Sequence, residues 1–404
     1  MSTESPMKID PKQSSPPLEM AEETVRDALK LAVEKPENCV SSLVALFKAI
    51  NDYAFTWLKE DRKFQFRREV SDLFSAASTL ISHEVNSNAD PTAILSRLVT
   101  ELEQSQRNRG HYGINGLDSL PKSRLHVTAT GGEQGCRTLY VTIAAGLICS
   151  KYIPTVVQGN YSVTGCGCGM FAESDMMEHL QYPIGSSEID LRSLSESSFA
   201  YLHVQRYHPI LKVFCSERGS LGFRDMMKLA VVLADPYCCD RQFVGVWDQR
   251  FMAPMARVLK ARPGVTAGAV VASATLDEFT QKAYVFKSPG NVTELIAEDD
   301  KGGWLVAESA RATSKNPFAS ENEKDDECRG LVGMFGQTVE ESTPRLRLVL
   351  HNAALALATA FAENSAPKWQ DVLGWRTKLT SEWSEVSSHA KQVIGRWPRL
   401  RTNQ

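Results

Sequence analysis

The sequence predicts an α/β protein, with a small N-terminal helical bundle ahead of a larger domain built on a mostly parallel central sheet. Three observations carry this. Apolar residues recur at helical spacing through the first hundred or so positions. From Leu125 onward, short apolar runs alternate with stretches long enough for crossover helices. Apolar residues make up 43% of the 404 and charged ones 23%, the balance of a folded, soluble chain.

Residues 1–17 hold Pro6, Pro11, Pro16 and Pro17 among Ser, Lys and Glu, and read as a disordered tail. Residues 18–108 read as helical. Val25, Ala28, Leu29 and Ala32 share one face, as do Leu43, Leu46, Phe47 and Ile50, and then Phe66, Val70, Leu73, Phe74 and Ala77. Asp90-Pro91 opens a fourth helix, with an N-cap residue followed by proline at the first helical position. Phe47, Phe55 and Trp57 give this bundle surface to bury. Residues 109–124, with their glycines and Asn115, read as a hinge or linker.

Beyond it, candidate strands are Leu125–Thr128, Pro154–Val157, Ala200–Val204, Phe243–Trp247, Ala267–Ser273 and Ala283–Phe286. Residues 311–329, with Glu321, Glu323, Lys324, Asp325, Asp326 and Glu327, read as a charged surface insertion. Thr343-Pro344 caps a long Ala/Leu helix, and a last amphipathic helix carries Trp369, Leu373 and Leu379.

Charge and composition exclude several classes. The 45 basic and 48 acidic side chains leave a formal charge of −3, so nucleic acid is not an expected partner. No apolar run reaches membrane-spanning length, and the N-terminus lacks the features of a secretory or transit peptide, so a cytoplasmic location is expected and no membrane partner. Nine cysteines, an odd number on irregular spacings, suit reduced thiols.

Three segments could carry chemistry. Thr130, Gly131, Gly132 and Glu133 follow the first candidate strand and precede a helix, where glycine lets backbone N–H groups approach an anion. A tight turn accounts for the same glycines. Gly159 and Asn160 stand in a glycine-rich loop after the second strand, again at a strand's carboxyl end, where open α/β sheets bind ligands. Cys166 and Cys168 in this loop lack the further ligands that a metal site needs. The adjacent carboxylates Asp277 and Glu278 follow the fifth strand and suit Mg²⁺ beside substrate phosphates, or an ordinary acidic surface loop.

In order, these pieces resemble the anthranilate phosphoribosyltransferase family (glycosyltransferase family 3) from about residue 125 to 390. The family's G-T-G-G-D stands as Ala129-Thr130-Gly131-Gly132-Glu133, and K-H-G-N-R as Val157-Gln158-Gly159-Asn160-Tyr161. S-A-D-x-L-E-x-L looks like Ser174-Asp175-Met176-Met177-Glu178-His179-Leu180. H-P-x-L-K is His208-Pro209-Ile210-Leu211-Lys212, and R-x-x-L-G-x-R-T is similar to the run from Arg218 to Asp225. N-P is Asp235-Pro236, L-D-E is Leu276-Asp277-Glu278, and L-N-A-A is His351-Asn352-Ala353-Ala354.

The resemblance implies transfer of a phosphoribosyl group from phosphoribosyl pyrophosphate to an aromatic amine, as in tryptophan biosynthesis. It places Thr130, Gly131, Gly132, Glu133, Gly159 and Asn160 at the donor or acceptor site, Arg218 facing the acceptor's carboxylate, and Mg²⁺ on Asp277 and Glu278. It also implies a homodimer through the helical domain. The departures fall on the donor-phosphate side. Val157, Gln158 and Tyr161 replace the family's lysine, histidine and arginine, and Val141 replaces a serine that helps hold the metal. The alternative is therefore a catalytically inactive paralogue that keeps the fold for binding or scaffolding. A pyrimidine phosphorylase is set aside, because that group's signatures are missing. Lys151 or Lys228 could restore the lost charge if the fold brought either to the site.

Overall fold

The structure, a computed structural model of the chain, describes residues 18–34, most of 41–53, 91–108, 120–130, 141–159, 173–184, 187–204, 226–272, 279–298, 321–339 and 343–395. The tail, Phe55, Trp57, the run from Phe66 to Ala77, residues 109–119 of the hinge, and Cys166 and Cys168 lie outside these residues.

Seven strands form one sheet in the order β3-β2-β1-β4-β5-β6-β7. They are β1 Leu125–Ala129, β2 Thr155–Gly159, β3 Phe199–His203, β4 Arg241–Gly245, β5 Ala267–Val271, β6 Lys282–Lys287 and β7 Thr293–Ile296. The first five pair in parallel and the last two antiparallel. The five parallel strands are buried along most of their length, as expected where helices cover both faces. β6 alternates buried and part-exposed residues, and β7 buries only Leu295.

The helices, in chain order, are α1 Leu18–Glu34, α2 Thr92–Asn108, α3 Val141–Cys149, α4 Glu173–His179, α5 Ser187–Ser197 and α6 Met226–Leu233. There follow α7 Met252–Ala261, α8 Glu321–Met334, α9 Pro344–Ala360, α10 Trp369–Ser381 and α11 Trp383–Gly395. Residues 321–329, read from their composition as a surface insertion, thus belong to α8, whose Cys328, Leu331 and Met334 are buried. β7 and α11 likewise go beyond the elements that the sequence predicts.

One core lies between the sheet and α3, α9, α10 and α11. Leu348, Val349, Leu350, Leu355 and Leu357 of α9 are fully buried there, each worth about 1.5–3 kcal/mol of transfer free energy. Thr343 caps α9 by accepting from the Leu346 amide at 3.3 Å. The other face carries α6 and α7, and the N-terminal helices share that core. Val25, Leu46, Ile50, Leu95, Leu98 and Leu102 pack with Leu229, Val232, Met255 and Leu259. An ion pair between Arg262 and Glu103, both largely shielded, ties α7's end to α2. A third, smaller core of Val156, Leu194, Ala200, Leu202 and Tyr237 lies under α5.

The turn after α3 is fastened to α11 and to Glu382, just before it, by polar contacts. Lys151 Nζ donates to Glu385 at 2.6 Å, Tyr152 donates to Glu382 at 2.7 Å, and Ser150 Oγ lies 2.9 Å from His389 Nε2. Burial and the nearby Lys151 charge lower the His389 pKa below that of a free imidazole. The unfolded chain, with an ordinary histidine pKa near ~6.5, then takes up the proton first as pH falls. The contribution of His389 to stability is thus complete above that pH and declines below it. Thermal melting between pH 8 and pH 5.5 should show this decline, and His389→Gln should remove that part of it.

Candidate functional site

A parallel sheet brings all its carboxyl ends to one edge. Here that edge is formed by Ala129, Gly159, His203, Gly245 and Val271, the last residues of β1 to β5. The strand order reverses between β1 and β4, and the crevice at such a reversal is where doubly wound sheets bind ligands.

Thr130 sits at this reversal, fully buried. Its amide donates to Gly245 O at 3.0 Å, and its hydroxyl accepts from the Trp247 amide at 2.9 Å. The side chain is thus committed to joining the ends of β1 and β4, which leaves any ligand contact to the loop that follows. Gly159 ends β2. A Cβ there would stand 2.1 Å from the Tyr201 hydroxyl and 2.8 Å from Glu173 Cβ, so glycine is required for the strand to pass. Gly131, Gly132, Glu133, Asn160, Arg218, Asp277 and Glu278 lie outside the described residues. In the chain, however, Gly131 follows Thr130, and Asn160 directly follows Gly159.

Three positions that depart from the family motif, Val141, Val157 and Gln158, are turned into the fold. Val157 is fully buried, and its Cγ2 lies 2.1 Å from where a Cβ on Gly146 of α3 would stand. Val141 is buried at the start of α3. Gln158, 3% exposed, joins a polar chain across three strands. Its Oε1 lies 3.2 Å from His126 Nε2, and His126 Nδ1 lies 2.9 Å from Gln242 Oε1. Gln242 Nε2 donates to Asp235 Oδ2 at 3.0 Å and to Cys239 O at 2.9 Å. With that amide nitrogen committed to two acceptors, its oxygen faces His126 and accepts from Nδ1. Asp235 also accepts from the amides of Tyr237 and Cys239 at 2.8 and 2.6 Å. Burial by itself would raise the Asp235 pKa, but His126, Arg262 and these amides outweigh it and hold the carboxylate ionised.

Asn352, in the segment matched to L-N-A-A, is 1% exposed and clamps the chain just after Asp277-Glu278. Its Oδ1 accepts from the Phe279 amide at 2.8 Å, and its Nδ2 donates to Phe279 O at 3.2 Å and Leu348 O at 2.9 Å. The Phe279 ring stacks on His351 with centroids 4.6 Å apart.

The remaining candidates are distributed as follows. Lys151 is paired with Glu385 at the amino-edge side of the sheet, just before β2, so it does not replace the lost lysine. The Lys228 side chain and His208 lie outside the described residues. Cys239 is buried but its neighbour Cys238 is exposed. Among the described residues no three His, Cys, Asp or Glu side chains gather to hold a metal, and no helix is long and apolar enough to cross a membrane.

Sheet order and site edge define a doubly wound α/β protein with its ligand end at the β1/β4 reversal. Residues 122–362 match the family model described as the a/b domain of a glycosyl transferase family. That is more than half of the chain, and the chain belongs to this family. Among curated relatives, the anthranilate phosphoribosyltransferase of Lacticaseibacillus paracasei is 28% identical over 244 residues, 59% of this chain and 67% of the relative. That of Halobacterium salinarum is 31% identical over 232 residues, 56% of this chain and 65% of the relative. The chain thus spans about two thirds of each relative's length. In fold, it is similar to the Saccharomyces cerevisiae anthranilate phosphoribosyltransferase solved with PRPP and Mg. The TM-score there is 0.65 at 15% identity, covering 93% of this chain and 99% of that one. The Thermus thermophilus enzyme gives 0.62 at 16% identity, covering 92% and 98%.

Two variants test this geometry. Asn352→Leu should cost roughly 1–3 kcal/mol for each Phe279 backbone group left unpaired, read from denaturant unfolding. Val157→Lys should destabilise by about 3–5 kcal/mol, the cost of an unpaired buried charge, rather than rebuild a phosphate contact.

Proposed function

We propose that this chain transfers a phosphoribosyl group from phosphoribosyl pyrophosphate to an aromatic amine at the carboxyl edge of its sheet. The observation that carries this reading is positional. Thr130-Gly131-Gly132, Gly159-Asn160 and Asp277-Glu278 each follow the carboxyl end of a parallel strand in a member of this family. The curated relatives' names and the PRPP and Mg in the yeast structure's title agree with it.

In the transfer, the bond from the ribosyl C1 to the pyrophosphate oxygen breaks, and the amine nitrogen bonds to C1 and releases a proton. Backbone N–H groups at Gly131, Gly132 and Asn160 would hold phosphate oxygens. Arg218 would pair with an acceptor carboxylate. Asp277 and Glu278, hard oxygen donors, suit Mg²⁺, which when bound neutralises charge on the leaving diphosphate. Asn352 holds the chain that leaves this pair. The same reading has a cytoplasmic homodimer that pairs through residues 18–108.

A second reading, a non-catalytic paralogue that keeps the scaffold, is favoured by the burial of Val157 and Gln158. Calorimetric titration with phosphoribosyl pyrophosphate, with and without Mg²⁺, separates the two. Mg²⁺-dependent binding that weakens in an Asp277→Ala, Glu278→Ala variant is expected. No binding at millimolar donor would leave the scaffold reading.

A further inference from the structure

The amino edge of the sheet, opposite the transfer site, carries an open cavity of about 550 Å³, a volume that suits a small molecule. It lies between the end of α9, the connection at 361–368 and one face of α10. Arg241, the first residue of β4, fixes its place at this edge, since its Nε donates to Ala360 O at 2.9 Å. α10 turns Trp369, Val372, Arg376 and Leu379 into the core. Gln370, Asp371, Gly374, Trp375 and Lys378, at i, i+1, i+4, i+5 and i+8, share another face and form one wall of the cavity.

Three features of the lining suit a ligand. The first is aromatic. Phe361, 46% exposed just after α9, has its ring centroid 5.2 Å from that of Trp375. Trp375 in turn meets Tyr152 edge-on at 5.3 Å. An apolar ring left half in water gains burial when a flat ring covers it. The second is Gly374. Glycine inside a helix destabilises it relative to alanine, and no neighbour demands it here, because a Cβ would meet nothing within 4 Å. What the missing side chain provides is floor space beside Trp375. The third is charge of both signs. Lys378 Nζ lies 4.8 Å from the Trp375 ring centroid and 5.1 Å from that of Tyr152. Facing it across the lining are the carboxylates of Glu363 and Asp371. Asp371 accepts from the Lys368 amide at 2.7 Å. Among the described residues neither Lys378 nor Glu363 forms an ion pair.

We propose that this cavity is a binding site for a free aromatic amino acid, separate from the transfer site. The ring of the ligand lies over Gly374 against Phe361 and Trp375. Its ammonium turns to Glu363 and Asp371, and its carboxylate to Lys378. The inference does not rest on the transferase reading, because the two sites stand at opposite edges of the sheet.

Calorimetry on the full chain tests it with four probes. They are L-phenylalanine, phenethylamine (no carboxylate), 3-phenylpropionate (no ammonium) and L-leucine (no ring). L-Phenylalanine should bind at millimolar concentration or below, and each of the others more weakly. Gly374→Leu fills the floor and should abolish this binding without lowering the melting temperature, since the helix loses a glycine and open space receives the side chain. Lys378→Met should weaken L-phenylalanine by about 2- to 5-fold, the scale of a charge contact open to solvent, and spare phenethylamine. Glu363→Gln should weaken L-phenylalanine similarly and spare 3-phenylpropionate. If Gly374→Leu does not fold, these two exposed variants decide by that split, and L-phenylalanine binding unchanged in both overturns the inference. A wild type that binds no L-phenylalanine at millimolar concentration overturns it too. Binding that persists in a folded Gly374→Leu places the ligand elsewhere and sinks the proposal, as does equal affinity for L-leucine or for either analogue.

Discussion

The middle of the sheet is organised by a buried hydrogen-bonded chain that passes from Gln158 on β2 through His126 on β1 to Gln242 on β4 and Asp235. A buried polar group without a partner costs free energy comparable to a lost hydrogen bond, and in a low dielectric this penalty is at its largest. The chain is satisfied only when the three strands stand in their observed register, with His126 opposite both Gln242 and the neighbour strand's Val156. A one-residue slip would turn His126 to the other face, into apolar surroundings. The polar chain thus fixes the relative heights of β1, β2 and β4, and these set the heights of Thr130, Gly159 and Gly245 at the site edge.

This arrangement explains why several motif positions do not reach a ligand. Thr130 holds β1 to β4 through its hydroxyl, and Gln158 is occupied with His126. Val157 packs on Gly146, where α3 crosses close enough that no side chain fits on the helix. Residue type alone does not separate a motif side chain that faces a ligand from one that faces a core. Burial does, and here it divides the motif between backbone that can serve a ligand and side chains that serve the fold.

The legibility of the elements in the sequence follows the same physics. β1 to β5 were readable because strands covered on both faces must be apolar runs, and β6 because its apolar residues are nearly continuous. β7, with Leu295 its sole buried residue, has no such signal. The charged start of α8 disguised a helix whose buried residues come late, at Cys328, Leu331 and Met334. At the site, glycines and paired carboxylates stand out as residue types and were found. The partnership of Ser174 with His203, 29 positions apart, and of Asn352 with Phe279, 73 apart, exists only once the strands and helices are assembled.

The Val157–Gly146 contact also bears on how charge is distributed along the edge. A lysine at 157 and a helix as close as α3 cannot coexist without leaving an ammonium buried and unpaired. The close approach of α3 and the apolar residue at 157 are therefore one structural choice. Any cation serving the carboxyl edge has to come from a side chain with access to solvent. On β2 the next residue, Gln158, is closed in the core, and the one after it, Gly159, has no side chain to offer. The neighbouring strand β3 ends in a part-exposed imidazole directly beside that glycine, oriented through Nδ1 by a buried hydroxyl.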